Sequence, residues 1–210
     1  MQNNWQNAEQ VLKKGGAIIA PTDTLYGILA RAEDKRAVER IYKIKGRDEN
    51  KPFIILITDI KDLNKFGVEH SNNLQNLGMF PKGKKVSFIL ACDSKKFEYL
   101  HRGSKSLAFR IINPRNRNLF KLIKSVGPLV APSANPQGLK PALNIWEAKR
   151  YFGPVRSRSP QGDRATRLLA GATSNGIGNQ IDMYMCGGTR NAKPSTVISF
   201  LEKKPKVIRK

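Results

Sequence analysis

Histidine and cysteine are scarce in this 210-residue chain: His70, His101, Cys92 and Cys186 are all there is. No CxxC pair occurs, so a zinc site built from these residues has almost no raw material, no protein-held metal is expected, and both thiols should stay reduced and structurally bland. Acidic side chains are few as well, 16 against 38 lysines and arginines. No run approaches the ~18 apolar residues that span a bilayer. The opening Met1-Gln2-Asn3-Asn4-Trp5 also lacks the basic-then-apolar layout of a secretion signal, so a cytoplasmic protein without membrane attachment is expected. Neither GxxxxGK[ST] nor GxGxxG occurs, so any ATP site here uses neither of the two commonest phosphate fingerprints.

What is present is positive charge. The formal net charge is +22 and the isoelectric point about 10.3, beyond the ~9 that marks many nucleic-acid binders. An anionic partner is expected, although a lysine-rich solvated surface accounts equally well for most single lysines. The length suits one domain over residues 1–210 that buries a core without disulfide or metal staples.

Short apolar runs alternate with amphipathic stretches, the pattern of α/β or α+β proteins built in layers. Strands are expected near Gly16–Pro21, Phe53–Thr58, Lys85–Ala91, Leu107–Ile112, Pro128–Ala131, Ile181–Met185, Ser195–Phe200 and Val207–Arg209, with helices between them. The clearest helix starts after Asp34, a good N-cap, and lines up Ala37, Val38, Ile41 and Tyr42 on one face before delivering Lys45-Gly46-Arg47 at its end. Two more are expected over Asn118–Ser125 and Asn144–Tyr151. Residues 154–180 stand apart: four arginines and no lysine, against 11 arginines and 23 lysines elsewhere, with Ser, Gly, Asn and Gln around one weak apolar patch. That composition predicts an exposed insertion, either a solvated loop or a basic arm for RNA.

Three segments carry groups suited to chemistry. Pro21-Thr22-Asp23-Thr24-Leu25-Tyr26-Gly27 follows a buried strand, where hydroxyls can bind a small polar substrate or merely cap a turn. Lys45-Gly46-Arg47 with Lys51-Pro52-Phe53 concentrates cations at a helix end. They can grip a polyphosphate, arginine by a bidentate fork and lysine as a point charge, or simply complement the helix dipole. Pro132-Ser133-Ala134-Asn135-Pro136 follows another strand and offers a hydroxyl and an amide to a phosphate or a base, or ordinary turn chemistry.

Taken in order, GGAIIAPTDTLYGILARAEDKRAVERIYKIKGRDENKPF, APSAN, KPSTVISF and a closing VIRK resemble the YrdC/Sua5/YciO family in sequence and approximate spacing. The likeness covers roughly residues 10 to 152 and 181 to 210. It implies an open twisted mixed α/β sheet with flanking helices around a basic cavity. It also implies synthesis of threonylcarbamoyl-AMP and pyrophosphate from L-threonine, bicarbonate or CO2 and ATP with Mg²⁺, for tRNA modification. Carried over by position, the catalytic Lys-x-Arg pair falls on Lys45 and Arg47, and the ATP-binding set on these two with Ser106, Ser133, Asn135 and Arg209. The threonine-binding positions fall on Thr22, Arg110 and Ser195. The implied partners are tRNA or double-stranded RNA and a downstream threonylcarbamoyl-transferase machinery. A YrdC-like RNA-binding module without catalysis is the rival reading. A carbamoyl-transferring relative normally sits within a much longer chain. Departures from the family pattern are Phe80-Pro81-Lys82-Gly83 in place of Trp-Pro-Gly, Arg110-Ile111-Ile112 in place of Arg-x-Pro, the 154–180 segment, and no glycine after Arg209.

Overall fold

The computed structural model describes residues 2–68, 85–153, 181–202 and 204–209. The expected insertion at 154–180, the Phe80–Gly83 turn and His70 lie outside them. In chain order the elements are α1 (Gln2–Lys13), β1 (Ile18–Pro21), β2 (Tyr26–Arg31), α2 (Lys35–Lys45), β3 (Ile54–Ile57), β4 (Val86–Ala91), α3 (Glu98–His101), β5 (Ser106–Ile111), α4 (Arg117–Val126), β6 (Leu129–Val130), α5 (Ile145–Phe152), β7 (Met183–Tyr184), β8 (Thr196–Ser199) and β9 (Lys206–Arg209). A 3-10 helix over Ile60–Phe66 follows β3. No helix among the described residues is long and apolar enough to cross a membrane.

These nine strands form one mixed sheet in the order β7-β1-β2-β6-β3-β5-β4-β8-β9. Pairing is antiparallel for β1–β2, β2–β6, β3–β6, β4–β5 and β8–β9, and parallel for β1–β7, β3–β5 and β4–β8. Because side chains alternate across a strand, a sheet covered on both sides must be apolar at consecutive positions. That is what the central strands show. Ile18, Ala20, Leu29, Leu56 and Leu129 pack with Ala8 and Leu12 of α1 and Leu119, Leu122 and Ile123 of α4. Their neighbours Ile19, Ile28, Ile55, Ile57 and Val130 pack on the other face with Val38 and Ile41 of α2 and Ala148 of α5.

The expected strands all appear, most trimmed by a residue or two at their ends. β2 was not among them. The segment after Pro21 does not lead into a helix; it turns back as a hairpin, closed by Thr22 N–H donating to the Leu25 carbonyl at 3.0 Å and Thr22 Oγ1 donating to the same oxygen at 2.6 Å. Helix α1 is likewise additional to the sequence expectations. Helix α2 starts as expected, with the Asp34 carboxylate accepting from Ala37 N–H at 3.0 Å. It stops at Gly46, whose φ of 55° is the left-handed conformation that lets Gly46 and Arg47 N–H close on Lys43 and Tyr42 carbonyls. That stop directs the chain from a buried Lys45 to a cavity-facing Arg47.

Leu56 is fully buried at the sheet centre. Leu56→Ala should lower unfolding stability by about 2–5 kcal/mol, the range for a buried leucine that leaves a cavity. Urea unfolding should show a lower midpoint with an unchanged slope.

Candidate functional site

Segments from seven places in the chain meet around a cavity of about 230 Å³. The β1–β2 turn supplies Thr22 and Thr24, the end of α2 Arg47, and the lead into β3 Pro52 and Phe53. From the other side come Arg110 of β5, Ser133 after β6, Ser195 before β8 and Arg209 of β9. No carboxylate lies among these lining residues, and three of them are arginines.

One wall is a continuous polar chain. Arg110 is only 6% exposed, and a guanidinium so deep must be paired. Its Nη1 donates to Asp23 Oδ1 at 2.8 Å and Thr24 Oγ1 at 3.3 Å, while Nε donates to Ser87 Oγ at 3.1 Å. Ser87 Oγ lies 2.9 Å from Ser195 Oγ. Arg209 closes the series by donating from Nε and Nη2 to the Ser195 carbonyl at 3.2 and 3.1 Å. Burial lowers the Arg209 pKa, and the nearby Arg110 cation lowers it further. Arg209, unlike Arg110, has no carboxylate partner among the described residues, and its guanidinium stands beside the cavity.

The opposite wall holds the Lys-x-Arg and Ser-x-Asn segments, and they behave differently residue by residue. Lys45 is 3% exposed and does not line the cavity. Its Nζ donates to the Ser133 carbonyl at 2.5 Å and to the Asn135 carbonyl, so it clamps the loop after β6. Asn135 is also inwardly committed, donating from Nδ2 to Pro136 and Leu139 carbonyls at 3.0 and 2.6 Å and accepting from Ser133 Oγ at 2.6 Å. Arg47 does line the cavity. Its Nε donates to the Lys51 carbonyl at 3.0 Å and its guanidinium lies 5.3 Å from the Phe53 ring centre, which stacks on Tyr42 at 4.0 Å.

The structure therefore brings Thr22, Arg47, Arg110, Ser133, Ser195 and Arg209 to one cavity, with Lys45 and Asn135 immediately behind it. Ser106 is elsewhere. It opens β5 opposite Ala91, with Ser104 Oγ 3.2 Å from its own hydroxyl, four residues and so roughly 13 Å along the strand from Arg110. Asp23 as counterion, Ser87 and Phe53 are site residues that sequence reasoning did not assign. Ser87 had a signal, a polar residue inside the apolar run from Val86 to Leu90. Among the described residues, no group of three His, Cys, Asp or Glu is placed to hold a metal ion.

The Sua5_yciO_yrdC family model, described as telomere recombination, matches residues 10–157. Uncharacterized protein YciO of Escherichia coli K12 is 24% identical over 206 residues, 96% of this chain and 86% of its own. The threonylcarbamoyl-AMP synthase of Methylobacillus flagellatus is 31% identical over 147 residues, 69% of this chain and 80% of its own. Among solved structures, Pyrococcus abyssi Sua5 complexed with L-threonine aligns with a TM-score of 0.76 at 24% identity, over 98% of this chain and 53% of that one. The chain thus spans about half the length of that protein.

Burial pulls the Lys45 ammonium down to about 7, and the Arg47 cation adds to the effect. The folded value lies below the ~10.4 of a free lysine, so the unfolded chain binds more protons from about pH 7 to pH 10 and stability rises with pH in that window. The unfolding free energy of the parent, relative to Lys45→Met, should climb by roughly 1 kcal/mol per unit between about pH 7.5 and 9. Parallel curves for the two proteins would show that Lys45 does not titrate there.

Proposed function

Because the chain belongs to the Sua5/YciO/YrdC family, whose model spans residues 10–157, we propose that it is a threonylcarbamoyl-AMP synthase acting in the cytoplasm on the route to threonylcarbamoyladenosine in tRNA. The observation that carries this reading is a carboxylate-free cavity with arginines on both walls, Arg110 and Arg209 on one and Arg47 on the other. That arrangement suits a reaction between two anions. Support from the relatives is that one named threonylcarbamoyl-AMP synthase is 31% identical over most of this chain.

In the proposed reaction the amine of threonine adds CO2 to give a carbamate. A carbamate oxygen attacks the α-phosphorus of ATP, the bond to the β-phosphate oxygen breaks, and pyrophosphate leaves. No histidine base or cysteine nucleophile is needed; the barrier is dominated by bringing like charges together and stabilising charge spread over phosphoryl oxygens. On this reading Arg110 takes the threonine carboxylate, its geometry fixed by Asp23 and Ser87. Thr22 and Ser195 face the side-chain hydroxyl, and Arg47 with Ser133 takes the phosphates. Lys45 acts through the loop it clamps, holding Ser133 and Asn135 in place. Magnesium enters on the phosphates of ATP, and a lining free of carboxylates fits an ion carried in by its ligand. The product passes to a transferase that acts on tRNA.

The net charge of +22 favours a second reading, a module that binds tRNA or double-stranded RNA without catalysis. The two separate on one measurement. Purified protein with ATP, bicarbonate and labelled threonine should release pyrophosphate in a threonine-dependent way, and its absence would leave the RNA-binding reading.

Two variants of the assay sharpen the assignment. Arg47→Ala should weaken ATP binding by about 1.5–3 kcal/mol, the range for hydrogen bonds to charged groups, with little change in melting temperature. Serine should be a poorer substrate by roughly 1 kcal/mol through one lost methyl contact, and valine poorer still because it leaves the partners of the hydroxyl unpaired. Equal turnover of threonine and valine would remove Thr22 and Ser195 from side-chain recognition.

A further inference from the structure

A second cavity, about 720 Å³, lies beside the first. Thr22 lines both, and the half-buried ion pair lies between them: Arg110 lines the first cavity and Asp23 the second. We propose that this second cavity binds a small phosphate-bearing anion.

Its cations come from three separate parts of the chain. Lys85 leads into β4, Arg115 sits between β5 and α4, and Arg190 lies between β7 and β8. Among the described residues none of the three has an acidic partner, in contrast to Arg40, Arg102 and Arg110, which each pair with a carboxylate. Three like charges lining one cavity, none with a carboxylate partner among the described residues, give it a positive potential that favours an anion. Asp23, the carboxylate that lines this cavity, is already engaged by Arg110 at 2.8 Å and so offers these cations little competition.

The remaining lining fits the same ligand class. Asn113 and Thr58 add polar groups, and Phe88 and Ile111 add apolar surface. Asn116 lines the cavity at the start of α4, and its side chain does not cap the helix; the first N–H groups of α4 are therefore left for another acceptor. The volume admits pyrophosphate or a nucleoside monophosphate, and cations gathered from three parts of the chain around one concavity suit a compact anion better than an extended RNA backbone. The inference rests on the proposed reaction only for a source: there, pyrophosphate is released on the far side of the Asp23–Arg110 pair.

Calorimetric titration of the full chain at about 0.15 M salt, where long-range charge effects are screened, tests the proposal. The probes are pyrophosphate, AMP and a short RNA duplex. Parent protein should bind pyrophosphate at two sites, Arg47→Ala should lose one, and a Lys85→Ala/Arg115→Ala/Arg190→Ala variant should lose the other by at least about tenfold. A control triple with the same charge change at positions that line neither cavity, Lys14→Ala/Lys61→Ala/Lys121→Ala, should keep both, and thermal melting checks that each variant is folded. Filling of the second site by AMP as well as by pyrophosphate would identify a nucleotide as the ligand, and by pyrophosphate alone, the reaction product. Unchanged binding in the first triple, equal loss in the control triple, or binding of duplex RNA with no pyrophosphate site there would overturn the proposal. If threonine-dependent pyrophosphate release fails while two-site binding persists, the reaction is wrong and the second site stands.

Discussion

A guanidinium taken out of water sets the strictest local constraint on the polar groups inside this protein. Arg110 sits in β5 near the middle of the sheet, where an unpaired charge would cost several kcal/mol. Everything around it answers that cost. Asp23 turns inward from the β1–β2 hairpin, Ser87 replaces an apolar side chain on β4, and Ser195 and Arg209 extend the hydrogen-bond series to the far edge of the sheet. The pair thereby ties strand β5 to the hairpin and lies between two cavities. Groups so fixed are preorganised, and in the proposed reaction that is the condition under which electrostatic stabilisation is most effective.

The other wall shows that adjacent cations can have opposite jobs. Gly46 reverses the chain, so Lys45 points into the protein and Arg47 toward the cavity. Lys45 spends its donors on two backbone carbonyls and thereby sets the position of the Ser133–Asn135 loop. Arg47 keeps a flat guanidinium beside Phe53, itself backed by Tyr42. Planarity and weaker hydration suit arginine to that stacked site and the compact ammonium to the carbonyl clamp.

Much of the fold was legible in the residues. Asp34 and Gly46 bracket α2, and the uninterrupted apolar runs of β1 and β3 announce strands covered on both faces. What escaped had weaker local signals. The β1–β2 turn has no glycine or proline at its centre; it is made by the Thr22 hydroxyl and backbone, so Tyr26–Arg31 was not read as a strand. Helix α1 is rich in Asn and Gln, and its apolar residues Trp5, Ala8, Val11 and Leu12 are sparse, although Trp5, Ala8 and Leu12 are spaced as on a helix.

The sequence by itself determined most of the elements, with β2 and α1 the exceptions, the positive character of the molecule and, through four ordered motifs, a resemblance to a family. Those properties depend on local periodicity, on side-chain charge and on residue order, all of which are written along the chain. Tertiary structure decided which polar groups meet. Asp23 and Arg110 are 87 residues apart, Ser87 and Ser195 108 apart, and Lys45 and Asn135 90 apart, and no local preference specifies such pairings. They follow from strand order and from the need of each buried polar atom for a partner. The same need placed Lys45 behind the cavity, left Ser106 at the distant end of its strand, and set Asp23 and Arg110 between two cavities that no short stretch of sequence describes.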